Sequence, residues 1–187
     1  CNPLVIAPPR LVPMWKDFCS EFDINAAVMS SGLLSDETVF KDYEFRQHQS
    51  YRNLILVDEA HNFRNDDTIK YRALERLCWN KPTILLTATP MNKGPMDIYN
   101  QLRLLLPDVG QQLNLEQPDL KEFFTNLPEE IISEDDRKPL VDLLQQIMIR
   151  RTRRNILANY ATKGSRGRLG LNIEGEWYYF PKRTLCE

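Results

Sequence analysis

Apolar and polar positions follow two rhythms along the first hundred residues. Leu4-Val5-Ile6-Ala7, Ala26-Ala27-Val28-Met29, Leu54-Ile55-Leu56-Val57 and Thr83-Ile84-Leu85-Leu86 are short, almost unbroken apolar runs. Runs of that length, closed by turn-forming or charged residues, read as strands buried on both faces of a parallel sheet. Between them the period changes. Leu11, Trp15, Phe18, Cys19 and Phe22 fall at i, i+4, i+7, i+8 and i+11, and Ile69, Ala73, Leu74, Leu77 and Cys78 repeat the helical spacing. Pro13 sits in the first turn of the first helix, where its missing N–H is tolerated. Asp66, Asp67 and Thr68 are cap candidates for the second. Strand and helix in alternation predict an α/β fold with four parallel strands at about 4–7, 26–29, 54–57 and 83–86.

Helical spacing dominates the next fifty residues. Ile98, Leu102, Leu105 and Leu106 form one stripe closed by Pro107. Leu120, Phe123, Phe124 and Leu127 form another, and Leu140, Leu144, Ile147 and Met148 a third after Pro139. Residues 33–53 read as a charged helix or loop, and 162–170 as a flexible basic linker. Leu171-Asn172-Ile173 and Trp177-Tyr178-Tyr179-Phe180, around Glu174-Gly175-Glu176, suggest a small hairpin. Its aromatic residues either stack on bases or pack the hairpin, packing being the commoner use. The expected organisation is a partial α/β lobe over 1–106, a helical appendage over 107–160, and a basic linker with hairpin over 161–187.

Charge adds an asymmetry. The 187 residues carry a net charge of -2, yet residues 150–183 hold nine Lys/Arg against two acids, leaving 15 basic against 24 acidic elsewhere. A basic end on an acidic body is either a surface that meets a polyanion or a solvated arm. The four cysteines (Cys1, Cys19, Cys78, Cys186) are far apart with no CxxC, so free thiols are expected rather than disulfides or zinc. No apolar run approaches membrane-spanning length, and no membrane partner is expected.

The chemistry concentrates after the third strand, where Val57 runs directly into Asp58-Glu59-Ala60-His61. Open α/β sheets bind ligands at the carboxyl ends of their strands. In phosphate-transfer sites a strand-end Asp holds Mg²⁺, and a neighbouring carboxylate can orient the attacking water. Thr87 and Thr89 lie two residues apart at the end of the next strand, so in an extended segment both hydroxyls face one side. The plain alternative is a solvated acidic turn beside threonines chosen for β-propensity. Arg10, after Pro8-Pro9 and at a helix start, makes either a phosphate contact or an exposed loop arginine. The cluster Arg150-Arg151-Thr152-Arg153-Arg154 ends a helix, whose dipole accounts for one or two of the four arginines.

Asp58-Glu59-Ala60-His61 resembles the Walker B motif, in its DEAH form, of the superfamily 2 helicases and translocases. Thr87-Ala88-Thr89-Pro90 resembles their motif III. Ala7-Pro8-Pro9-Arg10 with Trp15-Lys16-Asp17-Phe18 looks like motif Ia, and Ser30-Ser31-Gly32 like motif Ib. The further order, Met91-Asn92-Lys93-Gly94, a Leu-rich helix, a helical insertion and Arg150-Arg151, is similar to the Swi/Snf-type double-stranded-DNA translocases, bacterial or archaeal members above all. The resemblance implies a RecA-like (P-loop NTPase) lobe using ATP and Mg²⁺. In it Asp58 would hold the metal, Glu59 would orient the water, and His61, Thr87 and Thr89 would transmit the γ-phosphate state. Arg10, Ser30, Ser31, Arg150 and Arg151 would meet the nucleic acid, with the Arg-Arg segment starting the crossing to a second RecA-like lobe. It also implies a cytoplasmic, nucleoid-associated protein, or a nuclear one. A strand-separating DEAH-type helicase for DNA or RNA, and a non-catalytic nucleic-acid-binding module, are the rival readings. No GxxxxGKS/T occurs: none of the seven glycines opens such a loop. The expectation is a fragment, with the phosphate loop before residue 1 and the second lobe after residue 187, inactive by itself.

Overall fold

The four apolar runs are the four strands, each within a residue of its expected span: β1 (Pro3–Ala7), β2 (Ala27–Ser30), β3 (Leu54–Val57) and β4 (Thr83–Leu85). The computed structural model describes residues 1–36, 38, 51–105, 119–128, 134–164 and 167–179. The expected stripe through Leu106 and Pro107 and the end of the hairpin at Phe180 lie partly outside these, as do most of residues 33–53. Two units divide the chain, Cys1–Lys138 and Pro139–Glu187.

In the first unit the strands form one parallel sheet in the order β2-β1-β3-β4. Leu4 stands beside Ala27 and Ile55, and Ile6 beside Met29 and Val57. Residues in register on a parallel sheet share a face, and this face is the core. Leu4, Ile6, Ile55 and Val57 are fully buried with Phe63, Tyr71 and Leu74. At about 1.5–3 kcal/mol for each buried aliphatic side chain, the face supplies much of the unit's stability. Two helices pack here, α2 (Ile69–Cys78) and α3 (Met96–Leu105). Thr68 caps α2, its hydroxyl accepting the Tyr71 N–H at 3.2 Å. Ile69, expected on the apolar face, is exposed at the helix start. The Tyr71 hydroxyl donates to the Asn100 carbonyl at 2.7 Å, and burial pushes its pKa up. Arg103 bridges Asp66 and Glu75 at 3.0 Å each. The opposite face of the sheet meets α1 (Val12–Glu21) at β1 and β2. Toward β4 it is thinly covered, leaving Ile84 44% exposed. A further helix, α4 (Leu120–Asn126), packs Phe124 against Tyr99.

The helix expected after Pro139 starts earlier: α5 (Glu134–Ile147) contains that proline. Pro139 donates no backbone N–H, and it is where the two units part. The second unit continues with α6 (Arg153–Tyr160), capped by Thr152. Three antiparallel strands follow among the described residues, β5 (Thr162–Lys163), β6 (Leu169–Ile173) and β7 (Glu176–Tyr178). The predicted hairpin is therefore present, but part of the expected linker is strand. Thr162 and Lys163 pair with Gly170 and Leu169. The reason is aromatic packing onto glycine: a Cβ at Gly170 would stand 2.7 Å from Tyr179 Cε1. Trp177 and Tyr179 stack with centroids 6.0 Å apart, and the Arg168 guanidinium lies 5.3 Å from the Tyr179 centroid. Among the described residues, no helix is long and apolar enough to cross a membrane.

Candidate functional site

The parallel ladder brings the strand ends to one edge. The Asp58 N–H donates to the Ile6 carbonyl at 2.8 Å and the Ala60 N–H to the Leu86 carbonyl at 2.9 Å, so the turn after β3 is tied to β1 and to the residue that follows β4. Asp58 comes directly after Val57 and so alternates away from the core face, toward α1. There the Trp15 indole N–H donates to Asp58 Oδ2 at 2.8 Å, while the Glu59 N–H donates to Oδ1 at 2.9 Å. Both carboxylate oxygens are thus engaged, and each keeps a lone pair.

Glu59 has φ 52° and ψ 48°, the left-handed region, which costs a non-glycine residue on the order of 1–3 kcal/mol. The strain is held in place by the 3₁₀ turn Ala60–Phe63, whose Asn62 N–H bonds the Glu59 carbonyl at 3.0 Å. Its effect is to aim consecutive carboxylates differently. The Glu59 carboxylate meets His61 Nδ1 at 3.1 Å, and the Thr87 hydroxyl lies 3.4 Å from the same nitrogen. A carboxylate only accepts, so the Glu59 bond needs the proton on Nδ1. With the proton on Nε2, Thr87 becomes the donor to Nδ1. His61 therefore pairs either with Glu59 or with Thr87, and its ring is about a quarter exposed, within reach of solvent.

Thr89 does not join them. The strand ends at Leu85, the residues after it are irregular, and Thr89 is exposed with its N–H 3.3 Å from the Thr87 hydroxyl. The expected pair of aligned hydroxyls becomes one. The loop beyond is pinned from α3. The buried Asp97 Oδ2 accepts the Asn92 and Lys93 N–H groups at 2.9 and 2.8 Å, and Gln101 donates to the Pro90 carbonyl at 2.6 Å.

Arg10 is exposed in a 3₁₀ turn, Pro9–Leu11, at the start of α1. Ser30 ends β2 and caps the 3₁₀ turn Ser31–Ser35, its hydroxyl accepting the Gly32 N–H at 3.1 Å. A Cβ at Gly32 would stand 3.8 Å from Pro9 Cγ, so the turns carrying Arg10 and Ser31 adjoin. Arg150 and Arg151 belong to the second unit and are exposed, Arg151 donating to the Tyr160 hydroxyl at 3.2 Å.

Among the described residues no group of three His, Cys, Asp or Glu makes a protein-only metal cage. Mg²⁺ seldom needs one: a carboxylate or two, water and substrate phosphates complete its octahedron. Asp58, fixed and half-buried, fits that shared mode of binding.

A parallel α/β sheet with an acidic turn and a hydroxyl at neighbouring strand ends is the architecture of a RecA-like helicase lobe. The SNF2-related domain matches residues 33–169, and the chain belongs to that family. It is 26% identical over 169 residues to an uncharacterised ATP-dependent helicase of Bacillus subtilis, YqhH, covering 84% of this chain and 29% of that protein. It is 28% identical over 124 residues to the human lymphoid-specific helicase, covering 62% of this chain and 14% of that one. The fold matches the Sulfolobus solfataricus SWI2/SNF2 ATPase core in complex with dsDNA, with a TM-score of 0.58 and 21% identity. That match covers 81% of this chain and 34% of the solved one. The chain thus spans less than a third of YqhH.

Proposed function

We propose that this chain is the catalytic-edge part of an ATP-dependent translocase on double-stranded DNA. The observation that carries the reading is the meeting of Asp58, Glu59, His61 and Thr87 at one sheet edge. Asp58 would hold a divalent cation, and the chemistry that cation would supply is neutralisation of charge on the transferred group. Glu59 orients the attacking water. To do so its carboxylate leaves His61, and His61 then turns to the Thr87 hydroxyl, so hydrolysis state is passed from β3 to β4 and on toward Thr89. Arg10, Ser30 and Ser31 approach the DNA backbone from the adjoining turns, binding without reading sequence. Arg150 and Arg151 add basic contacts from the second unit. The Sulfolobus relative's complex with dsDNA and the helicase names of the relatives support the substrate class.

The test is ATP turnover by the full-length protein, with and without duplex, beside Glu59→Gln. Duplex-stimulated turnover that falls by two or more orders of magnitude in Glu59→Gln is expected. Stimulation by RNA or single strands alone would replace the substrate, and turnover unchanged in Glu59→Gln would remove the carboxylate from its role.

A further inference from the structure

We propose that Trp15 is a positioning residue: its indole N–H fixes the Asp58 carboxylate for the cation and ties it to the turn that carries Arg10. The coupling half of this rests on the function proposed above; the contact does not.

An amphipathic helix face needs only bulk at position 15; of the stripe expected on this helix, Cys19 is buried while Phe18 and Phe22, the latter just past the helix end, are exposed. Trp15 does more. Indole is a donor with no acceptor, and it reaches Asp58 Oδ2 across 43 residues of sequence at 2.8 Å. With the Glu59 N–H on Oδ1, one donor on each oxygen sets the carboxylate's rotation and leaves the remaining lone pairs for a cation. The ring is itself held, half-buried and edge-on to Phe18 with centroids 5.8 Å apart and planes at 73°.

The other end of the lever is stiff. Arg10 sits in the 3₁₀ turn Pro9–Leu11, which runs without a break into α1 at Val12, with the Leu11 N–H bonded to the Pro8 carbonyl at 2.9 Å and Pro13 fixing φ in the first helical turn. A displacement of Arg10 by a bound polyanion is therefore carried along this continuous helical segment to Trp15. Occupancy of the Arg10 turn and the orientation of Asp58 become one coupled variable.

Two measurements decide it. In proton–nitrogen correlation spectra of the chain, Trp15→Phe identifies the Trp15 indole signal among those of Trp15, Trp79 and Trp177. Its N–H should exchange slowly, and at least tenfold faster in Asp58→Ala. Titrated Mn²⁺ should broaden it selectively, and not in Asp58→Ala. Exchange unaltered by Asp58→Ala, or no selective broadening, would overturn the proposal. In the full-length protein, Trp15→Phe should raise the Mg²⁺ concentration for half-maximal ATP turnover about tenfold, in the range seen when a residue holding a metal ligand is lost. It should also lower duplex stimulation, with the KM for ATP at saturating Mg²⁺ little changed. A purely structural Trp15 would instead lower the Tm and total turnover while leaving Mg²⁺ half-saturation in place, which also overturns the proposal. Full-length protein with no ATP turnover would refute the proposed function, and the indole measurements would still decide the Trp15–Asp58–cation link.

Discussion

β3 has a hydrogen-bonded neighbour on each side, whereas β4 has one among the described residues, and the difference extends to what each strand delivers. Ile55 and Val57 are completely buried, and Asp58 beyond them is gripped by a backbone N–H and an indole. On β4, Ile84 is 44% exposed, and beyond it the Thr87 hydroxyl has only long contacts, to His61 at 3.4 Å and to the Thr89 N–H at 3.3 Å. Rigidity and looseness stand side by side on the same edge. Under the function proposed above, the first environment suits a carboxylate that presents fixed lone pairs to a cation, and the second a hydroxyl that exchanges partners.

Truncation at matched sites would break that contrast most forcefully. Ile55→Ala removes a fully buried side chain between two strands and should cost about 3–4 kcal/mol in chemical denaturation. Ile84→Ala, one strand over, should cost less than about 1 kcal/mol, as substitutions at exposed positions do. Equal losses would mean that β4 is as firmly packed as β3.

The next effect tests whether the looser side is nonetheless anchored at its far end. Asp97 lies in the first turn of α3, where a carboxylate also complements the helix dipole. Asp97→Ala removes a buried acceptor from two backbone N–H groups and should cost about 2 kcal/mol, moderated because Asn92 and Lys93 are exposed and can turn to water. Faster amide exchange at Asn92 and Lys93, with Asp58 and Ala60 unaffected, is the signature expected. Uniform acceleration would place the latch in the global core.

The strands of this edge were legible because short apolar runs closed by charges have few other solutions, and Asp58, Glu59 and His61 because they continue one run without a gap. What was hidden is informative. Trp15 fits a helical stripe so well that its single polar atom carries no signal in sequence; the hydrogen bond to Asp58 exists only once α1 is laid across the sheet. Asp97 and Gln101 directly precede the apolar positions Ile98 and Leu102 on α3, and a polar side chain there carries no sign of burial in sequence. They are buried because the Pro90–Gly94 loop folds back over them. Thr89 misled for the opposite reason: period-two reasoning holds while a strand continues, and β4 stops at Leu85. Pairing of Thr162–Lys163 with β6 was masked by a glycine-rich, basic composition, since glycine there serves close approach of Tyr179 and not flexibility.

The smallest effect gives the finest reading of the contrast, through a thiol. Cys78 ends α2, and burial pushes its pKa up to about 12, with a hydrogen bond to the Thr83 side chain of β4 pulling the other way. A raised folded value favours the protonated thiol. Its stabilising contribution is complete below the unfolded value of 9.0 and is lost as pH rises through about 12. At pH 9 the thiol therefore stays protonated while the fold is closed, and the protonated form is not the nucleophile. Iodoacetamide should therefore modify the exposed Cys1 quickly and Cys78 only through opening, as read by peptide mass spectrometry. If β4 opens on its own, Ile84→Ala should speed modification of Cys78 severalfold with almost no shift of the denaturation midpoint. Ile55→Ala should speed it only in proportion to lost global stability. Should Cys78 in Ile84→Ala react no faster than in the parent chain, β4 and β3 open together, and the division of the edge into a fixed side and a yielding side fails.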